Sequence, residues 1–298
     1  MKPGVLVISH GSREADWVRL VDDAVESAAS LVKQPLASGQ TQAGISPIVQ
    51  GSSSLSTAAG KRLEMAAASG GQTVPVVSSF LEIVEGRLIQ DGIDKLEAEG
   101  VTDIYVLPLF VSSGSTHVDD IAQAFGQAPV SPARTGELER FRWNPGTRIR
   151  FGVPIDDDPQ IADLLLANIR GLSEAPDRER LLVVAHGSRE AVFHDRWRSG
   201  MTKLQQRLQQ LGGFAGGDIA MLLPDQAASR LDAMLRKRPD QAVIVVPLFL
   251  SEGYFTRTVI PSRLGGLVYR YNGRAMLPHS SLAGWMERQI NGWLAGLG

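Results

Sequence analysis

The sequence predicts an α/β protein built from two copies of one domain, each a small parallel sheet flanked by helices. Three observations predict it: an internal repeat, short Val- and Ile-rich runs alternating with longer amphipathic stretches, and a length of 298 residues that suits two ordinary domains. "VLVISHGSREADW" from Val5 returns as "LLVVAHGSREAVF" from Leu181, and "DIYVLPLFVSSG" from Asp103 returns as "AVIVVPLFLSEG" from Ala242. The two pairs occur in the same order. They place a first domain over 1–173 and a second over 181–298, joined by the polar stretch "SEAPDRER" at 173–180.

In the first copy, strands are expected at 5–8, 76–80, 104–107 and 149–153, where Val and Ile predominate in short runs. After the first strand, Trp17, Val21, Ala24, Ala28 and Leu31 recur at three- and four-residue steps and mark one face of a helix. Ile161, Leu165 and Ile169 mark another. Strands that alternate with helices pair in parallel and are covered on both faces. The stretch from about 34 to 74, rich in Gly, Ser, Ala and Gln, has no counterpart in the second copy and reads as an insertion with one short helix near 58–68.

Composition narrows the function. At 43% hydrophobic and 21% charged the chain is globular, and a net charge of -2 gives no footprint for nucleic acid. The first apolar run is too short for a signal-peptide core or a membrane span, so a cytoplasmic protein without a membrane partner is expected. There is no cysteine, so any metal site must use His, Asp or Glu. Two fused copies take the place of a homodimer, which points to a monomer with pseudo-twofold domains.

In parallel sheets the binding crevice lies at the carboxyl ends of the strands. "SHGSR" at 9–13 puts His10 there, with Gly11 permitting a sharp turn and Ser12 placed to cap the following helix. The plainer alternative is that His10 only hydrogen-bonds the backbone. "SSGSTHVDDI" at 112–121 puts His117, Asp119 and Asp120 after another strand; a surface loop of this kind is often merely solvated. In "FLEIVEG", Glu82 follows a third strand, with Glu85 its competitor, and either could instead open the next helix. Two imidazoles and a carboxylate from three strand ends suit a divalent Co, Fe, Ni or Zn ion with open positions. The second copy keeps His186 but offers Phe255, Thr256 and Arg257 where the first has His117, so the metal is assigned to the first copy and the second is degenerate. His194 and His279 read as structural or surface residues.

At these residues the chain resembles the sirohydrochlorin chelatases of the CbiX/SirB type, class II chelatases of cobalamin and sirohaem synthesis. The resemblance rests on "SHGSR", on "FLE" at 80–82, on "PLF" from Pro108 with the following Gly-x-x-His loop, and on "VPIDDDPQIADLLL" from Val153. It implies two chelatase-like domains with a cleft between them and ATP-independent insertion of Co2+ or Fe2+, Ni2+ being a further option, into a tetrapyrrole without an organic cofactor. It also implies that His10, Glu82 and His117 bind the metal and help deprotonate the ring. A carboxylate-rich macrocycle calls for guanidinium groups, and Arg13, Arg189 and Arg257 are the candidates, with Ser12 and Ser113 as further substrate-binding residues. One departure stands out. The family's histidine falls two residues after the loop glycine, where this chain has Thr116, and His117 comes third. A metal or tetrapyrrole carrier without catalysis is the alternative reading; a phosphate-handling enzyme ranks below both, because no Gly-rich Lys-Ser/Thr loop is present.

Overall fold

The computed structural model describes residues 1–32 and 73–297. The first half runs β1 (Pro3–Ser9), α1 (Ala15–Leu31), β2 (Val76–Phe80), α2 (Ile89–Ala98), β3 (Asp103–Pro108), α3 (Thr116–Ala124), β4 (Arg148–Phe151) and α4 (Pro159–Ile169). The second runs β5 (Glu179–Gly187), α5 (Ala191–Gly212), β6 (Gly216–Leu223), α6 (Ala227–Lys237), β7 (Ala242–Pro247), a π-helical turn at Phe255–Val259 that leads into α7 (Ile260–Arg263), and α8 (Ser280–Ala295). The expected insertion at about 34–74 and its short helix near 58–68 fall outside the described residues, apart from the last two positions of that stretch.

Each half contains a parallel sheet, ordered β2-β1-β3-β4 in the first and β6-β5-β7 in the second. The fourth strand of the first half survives in the second only as a single bridge between Ile244 and Arg270. β4 begins at Arg148 and ends at Phe151, two residues short of the expected 153, because beyond Gly152 the chain turns away and Val153 is exposed.

Both faces of each central strand are buried, as parallel pairing requires. Along β1, Val5 and Val7 face one core while Leu6 and Ile8 face another; along β5, Leu181 and Val183 alternate with Leu182 and Val184 in the same way. The outer core of each half is closed by its own helices: α2 and α3 through Ile93, Leu96 and Ile121 in the first, α6 and α7 through Leu231, Met234 and Ile260 in the second. The inner core is shared. It joins Val21 and Val25 of α1, Leu165 of α4, Trp197 and Leu204 of α5 and Trp285 and Met286 of α8 with the inner faces of both sheets.

Within that core α1 packs on α8 and α4 packs on α5, so the first helix of each half meets the last helix of the other. This reciprocal packing is a pseudo-twofold arrangement. Each Leu, Ile, Val or Phe fully buried there contributes about 1.5–3 kcal/mol. The segment between the halves is tied down rather than loose: buried Glu179 accepts from Ser173 Oγ and from the amides of Glu174 (2.8 Å) and Ala175 (3.1 Å), and it pairs with Arg270 at 2.7 Å. Among the described residues, no helix is long and apolar enough to cross a membrane.

Candidate metal site

The strand ends of the first half gather His10, Glu82 and His117. Past the end of β1, Leu81 N donates to Ser9 O at 2.8 Å and Glu82 N to His10 O at 3.2 Å, so the pairing of β1 with β2 runs on until both side chains leave the sheet together. Gly11 has a φ of +106°, and a Cβ there would lie 2.1 Å from the Glu82 carbonyl oxygen. Only glycine lets the two loops close on each other. The His10 Nδ1 stands 3.5 Å from Glu82 Oε1 and 3.3 Å from the Gly11 carbonyl oxygen, and both side chains are about half exposed.

His117 reaches the same place from a helix, not from the expected loop: it occupies the first turn of α3. Its ring lies edge-on to that of His10, with centres 4.8 Å apart and planes at 81°. Burial, and after it the neighbouring His10, push the His117 imidazole below its ordinary range; Asp120, Glu82 and Glu137 oppose this without reversing it. The three side chains are gathered but open. Among the described residues no group of three His, Asp or Glu side chains stands, as placed, where it could hold a metal ion.

Asp119 and Asp120 do not join the imidazoles. Both are buried, and Arg134 binds them, at 3.3 and 2.8 Å, while also reaching Glu190 at the start of α5 (3.3 Å) and lying over the Phe193 ring. Arg134 thus fastens the helix that carries His117 to the second half. The "DDD" of 156–158 supplies three further anchors. Asp156, at a φ of +46°, accepts from Ser113 N (2.8 Å) and Ser113 Oγ (3.1 Å) and so holds the loop that leads to His117. Asp157 faces Lys203 and Arg207 of α5, and Asp158 caps α4 and pairs with Arg288 of α8. The loop of Glu82 is held by Arg87, which donates twice to Asp22, at 2.8 and 2.6 Å. Sequence reasoning missed Arg134, Asp156, Asp22 and Arg87. The acidic triplet was the one visible signal.

The second half repeats the frame with other side chains. Ser12 Oγ accepts from Glu14 N at 3.1 Å and Ser188 Oγ from Glu190 N at 3.2 Å; His186 Nδ1 lies 3.1 Å from the Gly187 oxygen as His10 does from Gly11. Ser9 pairs with Phe80 and Ala185 with Met221, so Leu223 holds the place of Glu82, and a Cβ on Gly187 would meet the Leu223 oxygen at 2.6 Å. Phe255 stands edge-on to His186, with centres 5.2 Å apart and planes at 84°. It corresponds in sequence to Thr116, one residue before His117.

The other candidates sit as follows. Ser12 and Ser113 spend their hydroxyls on Glu14 N and Asp156. Arg13 and Arg189 are exposed and have no ion pair among the described residues, whereas Arg257 pairs with Glu252 at 3.3 Å. Arg257, Tyr254, Trp17, Leu277 and Pro278 line a cavity of about 510 Å³ between the two halves, whose rim also carries Glu14, Asp16 and Glu252. A larger cavity, about 780 Å³, lies at the opposite ends of the strands, where β3 and β4 begin against α8, and is remote from the imidazoles. Glu85 is exposed and outside the cluster. His279 is structural, capping α8 through Ser281 N at 3.1 Å.

The chain matches a protein-family model described as CbiX over residues 48–172 and 180–291. The two stretches follow the two copies; Glu82, His117 and His186 lie inside them, and His10 precedes the first. No curated protein matches the chain significantly. Among solved structures it is similar to SirB from Bacillus subtilis with Fe3+, with a TM-score of 0.68 and 16% identity over 100% of this chain and 97% of that one. The sirohydrochlorin chelatase SirB from Bacillus subtilis subspecies spizizenii in complex with cobalt is similar at a TM-score of 0.63 and 15% identity, over 99% of this chain and 97% of that one. A CbiX described as the terminal enzyme for biosynthesis of siroheme in denitrifying bacteria follows at 0.57 and 16%, over 98% and 99%. At such identities the likeness is one of fold.

Proposed function

The chain belongs to the CbiX family, and from that premise we propose that it is a chelatase that inserts a divalent metal ion, Co2+ or Fe2+ with Ni2+ as a third candidate, into sirohydrochlorin or a close tetrapyrrole in cobalamin or sirohaem synthesis. The observation that carries this reading is that His10 and Glu82, from the ends of two paired strands, meet His117, from the first turn of α3. Metal and macrocycle are both substrates, and no organic cofactor or ATP takes part.

His117, kept neutral by its burial, offers a lone pair at neutral pH. With the His10 Nδ1 turned to Glu82, the Nε2 of that ring is left for the metal, the arrangement in which a carboxylate orients a ligating histidine. The Glu82 Oε2, not turned to His10, completes the set. The open side of the cluster is what a metal that must be passed on requires. Insertion exchanges two pyrrole N–H protons for one divalent ion, and the Glu82 carboxylate or an imidazole released by the metal accepts them. The macrocycle lies over the strand ends between the halves, with Arg13 and Arg189 free to meet its carboxylates and Arg257 able to do so on leaving Glu252.

Anaerobic incubation of the purified chain with sirohydrochlorin and Co2+, Fe2+ or Ni2+, followed by absorbance, tests the reading. Insertion well above the spontaneous rate, lost in His10→Ala and His117→Ala, is expected. A wild-type rate equal to background overturns it, and tight binding without turnover would mark a carrier instead.

A further inference from the structure

Next to His10 and Glu82 the backbone is strained. Ile83 has a φ of +76°, a region that L side chains rarely enter and β-branched ones least of all. Val84 N donates to Glu82 O at 2.9 Å across it, which makes a γ-turn of the rarer, strained form centred on Ile83. Strain of this kind persists only where the surroundings impose it. Here they do so from both sides. Upstream, Glu82 is tied to His10 through its amide and locked against Gly11 through its carbonyl; downstream, Val84 packs into the shared core and Arg87 is held by Asp22. The Ile83 side chain is itself 44% exposed, so packing does not explain why an isoleucine stands there.

The second half supplies the comparison. Three residues beyond Phe80 is Ile83, and three beyond its equivalent Met221 is Pro224, whose ring holds φ negative. The same turn of the fold is therefore made without a positive φ where Leu223 replaces the carboxylate. The strain accompanies Glu82.

We propose that Ile83 is a positioning residue: its strained, stiff turn holds the Glu82 carboxylate toward His10, an inference that rests on the metal-binding reading of that pair. Glycine adopts the same φ without strain but does not hold the chain there.

The test is a Co2+ titration, alongside thermal unfolding, of the full chain as wild type, Ile83→Gly, Glu82→Ala and the double variant. Ile83→Gly is expected to melt at or above the wild-type temperature while binding Co2+ about tenfold more weakly, as loss of an orienting group does. It is expected to add nothing in the Glu82→Ala background, because its effect passes through that carboxylate. Wild-type affinity in Ile83→Gly, a lower melting temperature, or a further loss on top of Glu82→Ala overturns the inference alone. A wild type that binds no Co2+, or a Glu82→Ala variant that binds it undiminished, overturns the reading of the site and this inference with it.

Discussion

The ring of His117 stands edge-on to that of His10, 4.8 Å away, and the ring of Phe255 stands to His186 in nearly the same relation. Register places Leu223 where Glu82 is. One backbone frame thus carries two imidazoles and a carboxylate in the first half, and one imidazole with two apolar side chains in the second.

If the frame is the same, ligands restored to it should bind. Leu223→Glu with Phe255→His is expected to raise the Co2+ stoichiometry from one to two per chain, the second equivalent being lost with His186→Ala. An unchanged stoichiometry from equilibrium dialysis would show that the two frames differ in more than side chains.

Acid should weaken both the fold and metal binding through His117. Its imidazole is pushed below the ordinary value of 6.5, whereas in the unfolded chain it titrates normally, so below that pH the unfolded state binds more protons. Stability is therefore full above 6.5 and falls as the pH drops toward the lowered folded value. Urea midpoints of the metal-free protein between about pH 7 and 5 should show the decline, and His117→Asn should flatten it. A steeper decline in the variant would contradict the assignment.

Arg134→Met leaves Asp119 and Asp120 buried without their cation. A loss of about 3–5 kcal/mol is expected, since removing one partner of a buried pair strands the other's charge. Replacing both carboxylates by Asn in the same background should recover part of it. Chemical denaturation that shows less than about 1 kcal/mol of loss would mean that the guanidinium behaves as a surface group.

Gly11→Ala and Gly86→Ala separate strain from contact. Both glycines have positive φ, but a Cβ at Gly11 meets the Glu82 carbonyl at 2.1 Å while one at Gly86 meets nothing within 4 Å. Gly86→Ala should cost about 1 kcal/mol and leave Co2+ affinity alone. Gly11→Ala should cost more and weaken Co2+ binding, because the loops of His10 and Glu82 must part; equal effects at the two positions in melting and titration would speak against that closure.

Much of this architecture is legible in the chain because it repeats in sequence what it repeats in space. The 5–8 run and its copy at 181–184 mark the two central strands, and the same repeat points to His10 and to its counterpart His186. His117 was legible as a residue but not as a position. The sequence shows it one place later than the resemblance leads one to expect, and only the helical turn of α3 brings its ring to His10.

By itself, then, the sequence determined the α/β class, the duplication, the order of strands and helices in each copy and the residue types at the strand ends. These follow from local periodicity and from glycine, which act within a few residues. The tertiary structure decided what depends on distant partners: that Asp119 and Asp120 turn to Arg134 instead of the two imidazoles, that Asp156 holds the Ser113 loop, and that Leu223 and Phe255 stand where Glu82 and His117 stand in the first half. A buried carboxylate takes whichever cation the fold brings within about 3 Å, and no spacing along the chain encodes that choice.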